Sequence, residues 1–314
     1  MITIDDVRAA QERIEGFVRR TPLMEVTLAQ RSPLPDGASL LLKLESLQVT
    51  GSFKARGAIN QLLSLPKEIV ARGIVTASGG NHGIAVARAA HVAGVAATIF
   101  LPENAAPAKL EKLTAWGATT HLVGRFWDEA HAAATAFAQD SGLPYFHPFA
   151  SPAIVAGQGT VALEILEQAP DIDLFLIAIG GGGLIAGMST VLRALHPNAR
   201  IIGIEPVGSP TLYASLEQGS VAKLDSVTTS VPTMACAQTD PGIFDIVRKN
   251  VDDIILLDDA AMFDAARWLW FEFGLAADAS GAAAAAALLS GQISVAPGTR
   301  ICALVCGAGL DAFS

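Results

Sequence analysis

The sequence predicts an α/β fold of two doubly wound domains with mainly parallel sheets. Two observations carry that expectation. Short apolar runs of strand length alternate with helical stretches along most of the chain, the pattern of parallel strands covered by helices on both faces. Glycine-rich turns also lie where such strands give way to helices. The composition agrees: 51% of the residues are hydrophobic and only 6% aromatic, with many Ala, Val, Leu and Ile. A length of 314 residues is enough for one large or two moderate domains.

Taken in order, Asp5 to Phe17 reads as a helix that ends before Thr21-Pro22, and Leu40 to Leu44 as a short apolar strand. Phe53 to Leu65 is a helix stopped by Pro66. Gly73 to Ala77 is a strand, followed by the helix Asn81 to Ala93. Ala96 to Leu101 is a strand closed by a turn at Pro102, and Ala106 to Trp116 a helix. Thr119 to Val123 is a strand and Asp128 to Gln139 a helix, after which Ser141-Gly142-Leu143-Pro144 turns the chain. Strand and helix recur at Leu174 to Ile179 and Leu184 to Leu195, with a further strand at Arg200 to Ile204. Ala260 to Phe273 and the alanine-rich Ala282 to Leu289 are helices, and Arg300 to Cys306 is the last strand. Residues 73–147 hold a complete run of strand–helix units between two polar turns. They are expected to form a small domain inserted into a larger one, made of 1–72 and 148–314.

Several function classes are excluded on composition. No apolar run reaches the roughly 20 residues of a membrane span. The N-terminus, Met1 to Asp6, has neither a basic start nor an apolar signal core, so secretion is not expected. Three cysteines, Cys236, Cys302 and Cys306, form an odd, sparse set without metal-type spacing, which points to a reducing cytoplasm. The net charge is −9 and no dense basic run occurs, so nucleic acid is not an expected partner.

Four constellations carry chemistry. Lys54 lies in Thr50-Gly51-Ser52-Phe53-Lys54-Ala55-Arg56-Gly57-Ala58, at or near a helix N-terminus. Burial and the positive end of the helix both disfavour the ammonium form and make the amine nucleophilic. Alone, the same lysine reads more readily as a surface residue on a helix. Ser78-Gly79-Gly80-Asn81-His82-Gly83 follows a strand and opens a helix, so its N–H groups suit an anion such as a carboxylate. The bland alternative is an ordinary strand-to-helix turn with His82 satisfied locally. Gly180-Gly181-Gly182-Gly183, followed by Leu184, is the place for a phosphate on backbone N–H groups. A rival reading starts from Gly181, Gly183 and Ala186, a short match to a dinucleotide fingerprint, with Glu205 ending the next strand about 20 residues later. That rival leaves Lys54 and the Asn81 loop without a role. Cys306 ends the last strand, where such sheets bind ligands, or else is a small buried core residue. Trp268, Trp270 and Phe271 read as core or interface, and Asp252-Asp253 and Asp258-Asp259 as solvated loop charges. His91, His121, His131, His147 and His196 lack partners at ligand spacing.

Leu42-Lys43-Leu44-Glu45 through Gln48, Thr50 to Ala58, Ser78 to Gly83, Ala156-Gly157-Gln158-Gly159-Thr160 and Gly180 to Gly187 together resemble the threonine/serine dehydratase family. These are fold-type II pyridoxal-phosphate enzymes of the tryptophan synthase β-like kind, with serine racemase a close relative. The motifs stand in family order across almost the whole chain. Because the last strand is followed by no regulatory-domain pattern, the short, catabolic or racemase-like members are the expected match. The resemblance implies that Lys54 holds pyridoxal 5'-phosphate as a Schiff base, that Phe53 packs on the ring and that Asn81 bonds the ring's 3-hydroxyl oxygen. It implies Gly180, Gly181, Gly182, Gly183 and Leu184 as the phosphate site, and Cys306 beside the pyridine nitrogen, where relatives usually carry serine. Ser78, Gly79, Gly80, Asn81 and His82 are implied to grip the carboxylate of an amino-acid substrate. The implied reaction removes the α-proton with the Lys54 amine and expels the β-hydroxyl of a 3-hydroxy amino acid such as L-threonine or L-serine. The released product hydrolyses to a 2-oxo acid and ammonia. A homodimer is likewise implied.

Four departures from the family pattern refine this. Racemases place a serine on the opposite ring face; the matching position is Gly79, which carries no proton, so elimination is expected over racemisation. Glu205-Pro206 is present, but the later position where metal-binding members carry a second acid is Thr211, so no metal site is expected. Pro232-Thr233-Met234-Ala235 lacks the usual Asp-Gly pair, and Asp278 replaces a common glutamate. Both lie toward the expected substrate side and leave room for a bulkier or more polar 3-hydroxy amino acid.

Overall fold

The computed structural model describes residues 2–105, 107–125 and 127–313. Its strands form two sheets. The large one holds β1 (Leu23–Glu25), β2 (Ser39–Leu44), β6 (Leu174–Ala178), β7 (Arg200–Pro206), β8 (Asp253–Leu257) and β9 (Arg300–Val305), in the order β1-β2-β9-β6-β7-β8. All neighbours run parallel except β1, which returns antiparallel onto β2 with Leu23 opposite Lys43. The small sheet is β3 (Ile74–Ala77), β4 (Ala97–Leu101) and β5 (Thr119–Leu122), all parallel in that order. Parallel strands covered on both faces lose the polar–apolar alternation of half-exposed ones. Hence β6 is Leu-Phe-Leu-Ile-Ala and buried throughout.

The helices are α1 (Ile4–Ile14), α2 (Lys54–Ser64), α3 (Lys67–Val70), α4 (Asn81–Ala93), α5 (Pro107–Ala115), α6 (Trp127–Ser141), α7 (Pro152–Gln168), α8 (Gly183–Leu195), α9 (Thr211–Gln218), α10 (Pro241–Asn250), α11 (Asp259–Phe273) and α12 (Ala279–Leu289). Ala106, the expected first residue of α5, lies outside the described residues. α12 packs against β6, β7, β8, β9 and α11, and its residues from Ala279 to Leu288 are buried. α7 packs against α1, α2 and α8. There the backbones touch: a methyl group on Gly157 would fall 2.6 Å from the Gly57 Cα, and one on Gly187 would fall 2.3 Å from the Val155 carbonyl oxygen. Only glycine permits that approach. α2 packs on α7 with one face and on α4 with another. Its Ala58, Ile59 and Leu62 join Ile74, Val86, Ala97 and Phe146 in the core beneath the small sheet.

Beneath α2 lies a closed group of charges. The Arg56 guanidinium donates to both oxygens of Glu45, at 2.8 and 2.7 Å, and to Glu164 at 2.9 Å. Lys43 donates to Glu164 at 2.6 Å, to Gln168 at 2.9 Å and to the Thr21 carbonyl at 2.9 Å. Two cations and two anions are thus buried together with their hydrogen bonds made, the condition for a buried charge to be tolerated.

Six elements, β1, α3, α7, α9, α10 and β8, are absent from the sequence-based expectation. α7 is the instructive one: 12 of its 17 residues are buried, so no polar stripe marks it, and it begins with proline and contains two glycines. The acidic pairs also differ from expectation. Asp252 accepts from the Ile201 N–H at 2.7 Å and pairs with Arg193, and Asp259 accepts from the Thr229 and Ser230 hydroxyls, so both fasten chain segments rather than float in solvent. Trp268 is buried, whereas Trp270 and Phe271 are exposed.

Candidate active site

The loops singled out in the sequence all leave the carboxyl ends of strands, where open α/β sheets bind ligands. The segment before α2 follows β2, the Ser78 loop follows β3, the glycine loop follows β6 and Cys306 follows β9. Backbone pairing draws them together. The Phe53 N–H donates to the Cys306 carbonyl at 3.2 Å, and the Ala308 N–H to the Gly51 carbonyl at 2.8 Å. Ser52 and Gly307 form an isolated bridge. This zipper fixes the start of α2, and Lys54 is its first residue.

The Lys54 amine donates to the Pro148 carbonyl at 2.7 Å and stands 5.1 Å from the centre of the Phe53 ring. Lys54 is half-buried as a residue, but its amine lies deep in protein. Burial lowers its pKa to about 8, opposed by the electrostatic influence of Cys306 and Cys236. The neutral amine, the nucleophilic and basic form, is therefore far more populated near neutrality than in an ordinary lysine.

In the second loop the Gly80 N–H donates to Ser78 Oγ at 3.2 Å, and α4 begins at Asn81. The Asn81 amide nitrogen donates to Asp278 Oδ2 at 3.0 Å. His82 faces elsewhere: it is buried, with Nε2 3.1 Å from the Phe146 carbonyl, and burial pushes its pKa down to about 3. Its side chain is committed to the Phe146 carbonyl, which leaves its backbone N–H for any ligand. A methyl group on Gly79 would make only ordinary contacts, the nearest 3.5 Å from Leu101, whereas one on Gly83 would fall 1.9 Å from the Ser78 carbonyl oxygen.

The third loop admits only glycine. Gly182 has φ of +90°, and a methyl group on Gly181 would fall 2.2 Å from the Phe149 ring. The Thr239 hydroxyl donates to the Gly181 carbonyl at 3.0 Å. Gly183 opens α8, and Leu184 behind it is buried. Bare backbone N–H groups at a helix N-terminus make an anion cradle. Thr233 links this loop to the previous one: its carbonyl oxygen would lie 3.0 Å from a methyl group on Gly180, and its own methyl 3.9 Å from one on Gly80. At the fourth position the Cys306 thiol donates to the Ser280 carbonyl at 3.4 Å. Burial, reinforced by nearby Asp278, pushes the thiol pKa up, so it stays neutral.

The dinucleotide rival fails on geometry. The Glu205 carboxylate is buried and accepts the Leu212 and Tyr213 N–H groups at 2.8 and 2.9 Å, so it caps α9 rather than facing a ribose. The Thr211 hydroxyl donates to the Cys236 carbonyl at 2.5 Å. Among the described residues no group of three or more His, Cys, Asp or Glu is gathered as a metal ion would need.

Residues 14–307 match the model of the family described as pyridoxal-phosphate dependent enzyme. The chain belongs to that family. Pyridoxal phosphate is therefore its cofactor, and the site fits it: a buried amine of lowered pKa, and a four-glycine cradle whose second position has no space for a side chain. Among family relatives, the L-threonine ammonia-lyase of Geobacter sulfurreducens is 37% identical over 298 residues, which span 95% of this chain and 73% of that one. The phenylserine dehydratase of Ralstonia pickettii is 34% identical over 99% of this chain and 95% of its own length. Of solved structures, maize serine racemase superposes with a TM-score of 0.92 at 35% identity, covering 98% of this chain and 94% of that one. The T.th. threonine deaminase gives 0.91 at 34% identity over the full length of both chains. The parallel α/β fold expected from the sequence is the fold of these family members.

Sequence reasoning missed two contributors, Pro148 and Phe149, which lie in the segment joining α6 to α7 and carried no motif signal of their own. Asp278 was read only as a departure from the family pattern on the expected substrate side; its place three residues ahead of Gly281, which marks an N-cap, went unused.

Proposed function

We propose that this protein is a pyridoxal-phosphate-dependent ammonia-lyase that removes water from a 3-hydroxy amino acid of the L-serine or L-threonine type, giving a 2-oxo acid and ammonia. The bound cofactor supplies an electron sink for charge developing at the substrate α-carbon. Lys54 would anchor it covalently, and its amine, when free, would take the α-proton of the substrate. Phe53 would back the ring, Asn81 would donate to its 3-oxygen, and Gly180 to Gly183 with Leu184 would hold the phosphate. Ser78, Gly79, Gly80, Asn81 and the backbone of His82 receive the substrate carboxylate. The Cys306 thiol, kept neutral by burial, would be the group offered to the pyridine nitrogen and, unlike a carboxylate, would not hold a proton there. Residues 73–147 are read as a small domain inserted into the larger one of 1–72 and 148–314.

Elimination is favoured over racemisation by one observation. Gly79 stands where a second acid/base would be needed on the opposite face and carries none. Incubating the purified protein with serine, threonine and phenylserine, and assaying 2-oxo acid and ammonia against inverted amino acid, tests the reading. Inversion faster than 2-oxo acid formation selects a racemase instead. A wild-type protein that stays colourless and gains no borohydride-fixed adduct at Lys54 removes the cofactor assignment altogether. We also propose a cytoplasmic homodimer. Three free cysteines support the reducing compartment. No helix among the described residues is long and apolar enough to cross a membrane. Sedimentation of the holoenzyme tests the dimer.

A further inference from the structure

We propose that Asp278 is a positioning residue that latches the small domain to the large one and fixes which way the Asn81 amide faces. The inference rests on the cofactor assignment above. Asp278 is itself immobilised. It is the N-cap of α12, the buried helix over the centre of the large sheet, and its Oδ1 accepts from the Gly281 N–H at 2.6 Å and the Ser280 hydroxyl at 2.7 Å. Its own N–H donates to the Gly307 carbonyl at 3.1 Å. The second oxygen, Oδ2, reaches across to the Asn81 amide nitrogen at 3.0 Å. Two glycines keep the crossing clear. A methyl group on Gly307 would fall 2.7 Å from Oδ2 and 3.0 Å from the Asn81 nitrogen, and one on Gly309 would fall 2.6 Å from the Asp278 Cβ.

The chemistry of the pair makes the contact directional. An ionised carboxylate only accepts, whereas a primary amide has one donating and one accepting side. Asn81 must therefore turn its nitrogen toward Asp278, because the flipped amide would set oxygen against oxygen. One N–H is held by Asp278, and the planar amide then aims the other in a fixed direction. An acceptor-only ring oxygen needs an N–H and is repelled by a carbonyl. Asp278 thus selects the amide orientation that binds the cofactor, and does so from the opposite domain, so closure and ring binding share one side chain.

Asp278→Ser tests this, since serine caps a helix as well as aspartate but is too short to reach Asn81. The measurement is the rate at which pyridoxal phosphate leaves the holoenzyme, followed by loss of its visible absorbance in the presence of an aldehyde scavenger. Release is expected to be about tenfold faster, the scale of one hydrogen bond to a charged group. In an Asn81→Ala background the same substitution is expected to change nothing further. Asp278→Asn keeps the size and the cap but offers Asn81 a donor; it is expected to release the cofactor at least as fast as the serine variant. Wild-type release from either Asp278 variant overturns the latch, as does an equal acceleration by Asp278→Ser with and without Asn81. Failure of the wild-type protein to take up pyridoxal phosphate defeats the functional reading instead and is seen before any variant is made.

Discussion

Lys54 owes its chemistry to where its amine rests. The amine is buried against the Pro148 carbonyl, and no carboxylate partners it among the described contacts. In the apoprotein, modification of Lys54 by an aldehyde should therefore rise with pH around a midpoint near 8, well below an ordinary lysine; mass spectrometry of borohydride-fixed adducts reads it. The linkage has a definite sign. The folded pKa lies below the unfolded 10.5, so unfolding takes up protons between those values, and apoprotein stability should climb from pH 8 toward 10.5. Lys54→Met should flatten that climb in denaturant titrations. Two glycines make a sharper pair. Gly79→Ser meets nothing closer than 3.5 Å, so the holoenzyme should fold with its melting temperature within a few degrees of wild type. It should gain α-proton exchange from the face that Lys54 does not serve. Gly181→Ala drives a methyl group into the Phe149 ring and should cost about 1–3 kcal/mol together with phosphate affinity, measured by calorimetry. At this scale Lys54, the Ser78 loop and the four glycines were legible, because each combines unusual residue types over a few consecutive positions. The contact between Asp278 and Asn81 was not, since the two lie 197 residues apart.

Single helices carry the next layer of the argument. α2 presents Lys54 at its first position, and two residues later Arg56 plunges into the buried charge group with Glu45, Glu164 and Lys43. Electrostatic attraction to both carboxylates holds Arg56 ionised despite its burial. Arg56→Met leaves two buried acids facing Lys43 alone, and removing one partner of such a group costs about 3–5 kcal/mol. Chemical denaturation of the apoprotein should show that loss. Glu164 and Thr160, both in α7, complete the network around Arg56. α7 itself went unread because its sequence carries no amphipathic stripe. A helix buried on every side shows no period, and its glycines, which normally argue against a helix, serve here to seat α2 and α8 against it. α4 was legible to the residue, since Gly80 precedes its start and Gly94, in the left-handed conformation, ends it.

For the molecule as a whole, the parallel order of both sheets was readable from alternation alone, whereas the order of strands was not. β9, last in sequence, pairs between β2 and β6 near the middle of the large sheet, a placement no local pattern encodes. One global property follows from two histidines. His82 and His147 are both held neutral by burial, with pKa values near 3 and 4 against an ordinary 6.5. Below pH 6.5 the unfolded chain binds protons that the folded one refuses, so stability should fall steadily as pH drops toward 4. Thermal melts between pH 7 and 4 should show it, and His82→Gln should shallow the decline. The centre of the large core is α12, whose six consecutive alanines from Ala282 to Ala287 are buried. Alanine freezes no rotamer on folding, and nothing smaller than its methyl group fills that layer except glycine. Substitution here is therefore a one-way street. Ala284→Val should lose about 1–3 kcal/mol through crowding. Across descendants of this gene, the middle of the molecule can drift toward glycine but hardly toward anything larger. The most featureless stretch of the sequence is then among those least free to evolve.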